Sequence, residues 1–293
     1  MTSSPADLPR RALLLGALAA PLAQAESVRV WLPRHMSTAD PQLPYVRRLV
    51  LLALERAGVN ADVQLMNLEM YQGRSLLELA RGSSPIDLMW TMTDHERESS
   101  GLLPVRIPID RGLMGWRVLL VRRRELPRWA RLGGLEELRQ RVAGQGHDWP
   151  DTAILRANGL QVSTSSGYAA LFRMLASARF DYFPRAVLEV DAELAGDRHP
   201  DLAVVPNLML HYPAAAYLFV SPRRPELADL LRVGLEKAVA EGSLQQLHQA
   251  HFGAVIRAHP VSRERVIRLQ NPLLPPQTPL QRRELWLQPG EPA

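Results

Sequence analysis

Apolar and polar positions along the chain switch repeatedly between strict alternation and a helical stripe. Residues 27–32 alternate and close on Trp-Leu-Pro, which predicts a first strand. Between Pro44 and Ala57 the residues Val46, Leu49, Val50, Leu52 and Ala53 form one stripe, and Gly58 supplies a stop, so a helix is expected there. Residues 61–66 read as a second strand and 76–81 as a short helix ended by Gly82. Residues 86–90 form an apolar strand, followed by a charged turn, a Pro-rich segment and another strand at 116–121. The second half repeats the rhythm. Helices are expected at 134–141, 152–158 and 168–178, the last capped by Ser165 or Ser166. Strands are expected at 143–146, 160–163, 179–183 and 203–205, with an extended run over 211–219. Helices at 225–241 and 243–251 follow, the first with Leu227, Leu230, Leu231, Leu235 and Ala238 on one face. The Pro-rich tail from His259 reads as an extended strap. Alternating strands and helices make the class α/β, in two blocks that meet near Val118.

The 84–122 stretch organises the rest. Its first strand stops at a cluster of short polar residues, and Arg97 follows in a charged turn. Strand ends in α/β sheets are where ligands bind, and an arginine held there is a natural receptor for an anion. Asp87, Thr93, Glu96 and Arg97 fall in the order of a short apolar strand running into Thr-x-x-Glu-Arg. Leu171, Leu175, Arg179 and Asp181 form a leucine–Arg-x-Asp turn, and the chain from Gly234 closes on Phe252-Gly253. Over residues 27–255 these motifs resemble the periplasmic solute-binding proteins of the polar amino acid type (family 3).

That resemblance implies a two-lobed, type II periplasmic binding fold with two hinge strands. Residues 26–117 with 216–258 would form lobe 1 and 118–215 lobe 2, with 259–293 as a Pro-rich tail. It implies that Arg97 holds a ligand carboxylate, with Thr93 and Trp90 near the mouth. It also implies a second-lobe loop containing Gln145 and Gly146, whose following helix would offer free N–H groups to an anion, with Trp149 as a wall. In amino-acid binders an acid just beyond the Arg-x-Asp turn takes the α-amino group. Here that position is Ala186, and Arg185 precedes it. An anionic carboxylate or dicarboxylate is therefore expected rather than a zwitterion, unless Glu189, one turn on, fills the acid's place. Arg34 and His35, at the end of the first strand, are further candidates beside the simpler reading that they are solvated.

The composition fits an exported binder. The 293 residues include no cysteine, so disulfides, thiolate metal sites and a lipid-bearing cysteine are excluded. Residues 1–25 read as a signal peptide, with Arg10-Arg11, an apolar core at 12–22 and a cleavage site at Ala23-Gln24-Ala25. Export by the general or the twin-arginine route, and a periplasmic location, follow. Net charge is +5 with Lys237 the only lysine, and no basic run interleaved with aromatics suggests nucleic-acid binding. No Gly-x-Ser-x-Gly elbow and no His-Glu-x-x-His occur, so no catalytic residue, metal or cofactor is assigned. The expected function is capture of a small, anionic solute for a membrane permease complex, by a monomer. A module that reports ligand to a receptor is the alternative, and a dehydratase-like enzyme on the same fold a third.

Overall fold

A computed structural model describes Met1 and residues 27–35, 42–260 and 265–288. The expected signal peptide, apart from Met1, lies outside the described residues.

The chain runs β1 (Val28–His35), α1 (Leu43–Arg56), β2 (Ala61–Met70), α2 (Gln72–Arg81), β3 (Leu88–Met92), α3 (His95–Ser99), β4 (Leu103–Val105) and β5 (Trp116–Arg122). It continues through α4 (Leu126–Trp129), α5 (Leu135–Arg139), β6 (Val142–Gly146), α6 (Pro150–Ala157), β7 (Gln161–Ser165), α7 (Tyr168–Ala176), β8 (Phe183–Ala186) and α8 (Val187–Leu194). It ends with β9 (Leu202–His211), β10 (Ala216–Val220), α9 (Pro225–Ala240), α10 (Ser243–Ala258) and β11 (Arg265–Arg268).

Two lobes follow from the pairing. In lobe 1, β1 and β2 run parallel, and β10 lies antiparallel between β3 and β4. Asp87 joins the two sets: its N–H donates to the Trp31 carbonyl and its carboxylate accepts the Trp31 N–H, both within 3.0 Å. The same carboxylate takes a 2.9 Å contact from Arg224, the residue that opens α9. In lobe 2, β9 and β5 are antiparallel neighbours flanked by β11 and β8, and β6 pairs parallel with β7. The two lobes are connected through β5 and through the segment from β9 to β10.

Burial explains the helices. Helix α1 buries Tyr45, Val46, Leu49, Val50, Ala53 and Leu54 against α9, whose Leu227, Leu231, Leu235 and Ala238 face it. Helix α10 runs on to Ala258 instead of stopping before Phe252-Gly253. Phe252 is buried and packs its ring 4.7 Å from Tyr45, so tertiary contact holds the helix through a residue that weakens it locally. Two expectations in lobe 2 shift. Residues 179–181 bend rather than extend, because Ala178 adopts φ 58° and breaks the line of the helix before them; Tyr182 bridges to Ala143 in parallel and the strand proper starts at Phe183. Val187–Leu194, given no element from sequence, is a helix whose Val187 and Leu188 enter the main core beside α10.

The tail is more than a strap along one surface. Strand β11 adds to β9 in parallel, and Asn158 of lobe 2 pairs with Gln270 in both directions at 2.8 and 2.9 Å. The chain then crosses to lobe 1, where the His95 N–H donates to the Leu273 carbonyl and Leu285 is buried in the main core. Among the described residues no helix is long and apolar enough to cross a membrane.

Candidate functional site

A cavity of about 600 Å³ lies where the two lobes face each other. From lobe 1 it is lined by Trp90, Thr91 and Met92 at the end of β3, by Gln72 of α2 and by Arg97 of α3. From lobe 2 come Trp149, Asp151, Tyr168, Arg185, Glu189 and Glu193, with Arg117 at the root of β5.

The seat of Arg97 is built locally. Asp94 begins α3, and its side chain accepts the Arg97 backbone N–H at 2.7 Å while its second oxygen lies 3.3 Å from the Arg97 Nε. One carboxylate thus caps the helix and orients the guanidinium. Nη1 donates to the Thr91 hydroxyl and to the Met92 carbonyl, and Nη2 donates to the Gln72 side-chain oxygen at 3.0 Å. A guanidinium has five N–H groups, so Arg97 keeps one, on Nη2, to offer to a solute. Burial lowers its pKa from the usual arginine value, with Asp94 acting in the opposite sense.

The lobe 2 wall carries alternating charge. Arg185, only 3% exposed, donates from Nε to both oxygens of Glu193 at 2.9 and 3.0 Å, and from Nη2 to Glu193 and to Glu189, the latter at 2.9 Å. Tyr168 donates its hydroxyl to Glu193. Deeper in, Arg117 Nη2 lies 2.8 Å from Asp151, which also receives the Tyr212 hydroxyl. Burial opposes the charge on Arg185, but Glu193 and then Glu189 outweigh it and raise its pKa well above the usual value. Burial raises the pKa of Glu189, with Arg185 pulling the other way.

The lobes meet at the cleft's edge. The Gln42 amide of lobe 1 reaches Glu189 at 3.4 Å. A Cβ placed on Gly73 of α2 would lie 3.1 Å from the Asp148 carboxylate of lobe 2, so the cleft is nearly shut on that side.

Of the residues singled out from sequence, Arg97, Trp90, Trp149 and Arg185 line this cavity, and four others stand off it. Thr93 is fully buried and donates its hydroxyl to Glu98; Thr91, two residues earlier on β3, lines the cleft instead. Gln145 is buried behind the wall, where its amide reaches the Pro184 carbonyl at 3.4 Å. Gly146 supports Trp149 from behind: a Cβ there would fall 2.5 Å from the indole. Arg34 is exposed on β1, opposite Glu69 in register. Sequence reasoning missed Arg117, Asp151 and Glu193. A lone arginine in the apolar run 116–121 and an acid two turns beyond Arg185 were the available signals. The exception left open from sequence is the one realised: α8 brings Glu189, and with it Glu193, onto Arg185.

No protein-family model matches the sequence, and no curated protein matches it. Solved structures do. An ancestral arginine-binding protein bound to arginine is 14% identical, with 76% of this chain and 98% of that one covered and a TM-score of 0.55. A histidine kinase sensor domain with similarity to periplasmic binding proteins is 19% identical over 78% and 96%, at 0.52. A structure from work on glutathione import and the cystine ABC importer of Streptococcus mutans is 12% identical over 78% and 96%, at 0.54. The fold is that of the two-lobed, type II periplasmic binding proteins, and about a quarter of this chain lies outside what it shares with them.

Proposed function

We propose that the chain is an extracytoplasmic binding protein whose lobes close on a small carboxylate-bearing solute and deliver it to a membrane transporter. The observation that carries this reading is Arg97: a buried guanidinium, oriented by Asp94, Thr91, Met92 and Gln72, that lines an inter-lobe cavity and has one Nη2 N–H outside those contacts. A solute carboxylate would take that N–H and compete with Gln72 for its neighbour, a charge-assisted contact worth about 1.5–3 kcal/mol. Lobe 1 comprises residues 26–117 and 216–258 in this reading, and closure bends β5 and the segment between β9 and β10.

The charge of the rest of the solute depends on Glu189. Glu189 and Glu193 both pair with Arg185, and Glu189 is the more exposed of the two, its side chain 20% exposed. That favours a second reading in which the solute also carries an α-ammonium group, placed between Glu189 and Gln42. A thermal-shift screen over monocarboxylates, dicarboxylates and amino acids, followed by isothermal titration of the hits, decides between them. Tight binding of dicarboxylates supports the anionic reading. Tight binding of amino acids supports the zwitterionic one, and no response to either class removes the clamp.

Delivery could end at a signalling receptor instead, as the likeness to a kinase sensor domain suggests. Capturing the loaded protein with a permease or with a receptor domain would separate these outcomes.

A further inference from the structure

We propose that Arg185 is a built-in occupant of a cation receptor on lobe 2, and so determines specificity. The subsite made by Trp149, Tyr168, Phe183, Glu189 and Glu193 is filled from within the chain, and the solute brings no cationic side chain into it. The proposal rests on the inter-lobe cleft being the solute site.

The chemistry is that of a receptor for an organic cation. The Arg185 guanidinium carbon lies 4.8 Å from the centre of the Phe183 ring, 5.1 Å from that of Trp149 and 5.7 Å from that of Tyr168. Aromatic faces attract cations through their quadrupole, most strongly when water is excluded. Two carboxylates complete the enclosure, so the surroundings carry more negative charge than the one guanidinium they hold. The aromatic walls have supports other than Arg185. Trp149 stacks at 15° on Phe183 and is backed by Gly146, and Tyr168 meets Phe172 edge to face.

A purely structural ion pair would not need its rings to border open space. Here Trp149, Tyr168, Arg185, Glu189 and Glu193 all line the cavity. The strand supplies the occupant: Phe183 and Arg185 are two apart on β8 and share one face, so the chain places a guanidinium over its own aromatic floor. A second cation arriving with a solute would find these rings and acids engaged. It would also meet Arg117, Arg173 and Arg198, which line the same cavity.

The test is to remove the occupant and offer a substitute. Arg185→Ala should gain saturable binding of ethylguanidinium. At ten times its dissociation constant the ion should raise the melting temperature by about 3 °C relative to equal sodium chloride. The wild type should not respond, and adding Glu193→Gln to the variant should weaken the response. If Arg185→Ala does not fold unaided, refolding yield with ethylguanidinium against sodium chloride becomes the readout. A response no larger than the wild type's, or a yield that salt restores equally, overturns the proposal. So does a wild type stabilised more by L-arginine or L-lysine than by L-glutamine. The clamp reading is scored separately, on the wild type with carboxylates. A wild type that binds carboxylates while the variant ignores ethylguanidinium removes only the cage, and the reverse removes only the clamp.

Discussion

Arg97 shows how much one residue's effect depends on its seat. Its guanidinium is held by four contacts in a fixed plane, so a lysine would keep the charge and lose the fork. Arg97→Lys should weaken binding of the best carboxylate about 10- to 100-fold by isothermal titration, the equivalent of roughly 1.5–3 kcal/mol. His211 has a different consequence. Its ring lies 4.1 Å from Trp116, and burial, then the neighbouring Arg268, push its pKa down to about 4. The folded chain refuses a proton that the unfolded chain takes near pH 6.5, so the His211 contribution to stability should rise with pH between about 4 and 6.5, by about 2–3 kcal/mol. Asp110 runs the other way: burial raises its carboxyl to about 6, so the fold holds a proton that the unfolded chain releases near pH 4. The two contributions offset over pH 4–6 in wild type, so the urea midpoint of His211→Gln should fall as pH rises across that window, relative to wild type. A parallel pH profile in the variant would refute the assignment.

At the scale of elements, the α1–α9 crossing is the tightest joint in lobe 1. A Cβ on Gly234 would fall 1.7 Å from the Ala53 carbonyl oxygen, so the helix backbones touch there. Alanine is the better helix former by about 1 kcal/mol. Gly234→Ala should nevertheless destabilise by about 1–3 kcal/mol in urea unfolding, because the helices must move apart. The tail is likewise an integrated element. Leu285 is 1% exposed in the main core, and Trp286 lies over Gly112 while its indole N–H donates to the Pro279 carbonyl at 2.9 Å. Leu285→Ala should cost about 2–4 kcal/mol. By contrast, the half-exposed Arg282–Glu236 pair should contribute under about 1 kcal/mol, and Glu236→Gln is the comparison.

For the whole molecule, the prediction concerns the distance between lobes. The contact of Gln42 with Glu189 and the approach of Gly73 to Asp148 describe a cleft nearly shut along one edge, and cavity residues from both lobes need one another to enclose the solute. Without solute the lobes should separate. Small-angle scattering should then report a larger radius of gyration that contracts on saturation. At 100 times the dissociation constant the solute should also add about 2.7 kcal/mol of unfolding free energy. Equal radii with and without a bound solute would argue against closure about β5 and the segment between β9 and β10.

Periodicity and local chemistry determined the α/β class, most elements and the placing of Arg97 at a strand end, because each depends on neighbours within a few positions. The sequence order also carried the resemblance to a two-lobed binder. The partners of the site arose only on folding. Thr91 replaced Thr93 because the end of β3 turns Thr91, and not Thr93, to the cleft. Glu193 reached Arg185 because α8, with no strong periodic signal, docked its apolar residues on α10. The tail's return to both lobes was equally hidden, since a Pro-rich segment has no periodicity and takes its path from the carbonyls and apolar gaps other elements leave open. Charge pairing across elements, and hence which acids meet Arg185 and Arg117 in the cleft, depends on distances between residues far apart in the chain, and those are set by tertiary packing alone.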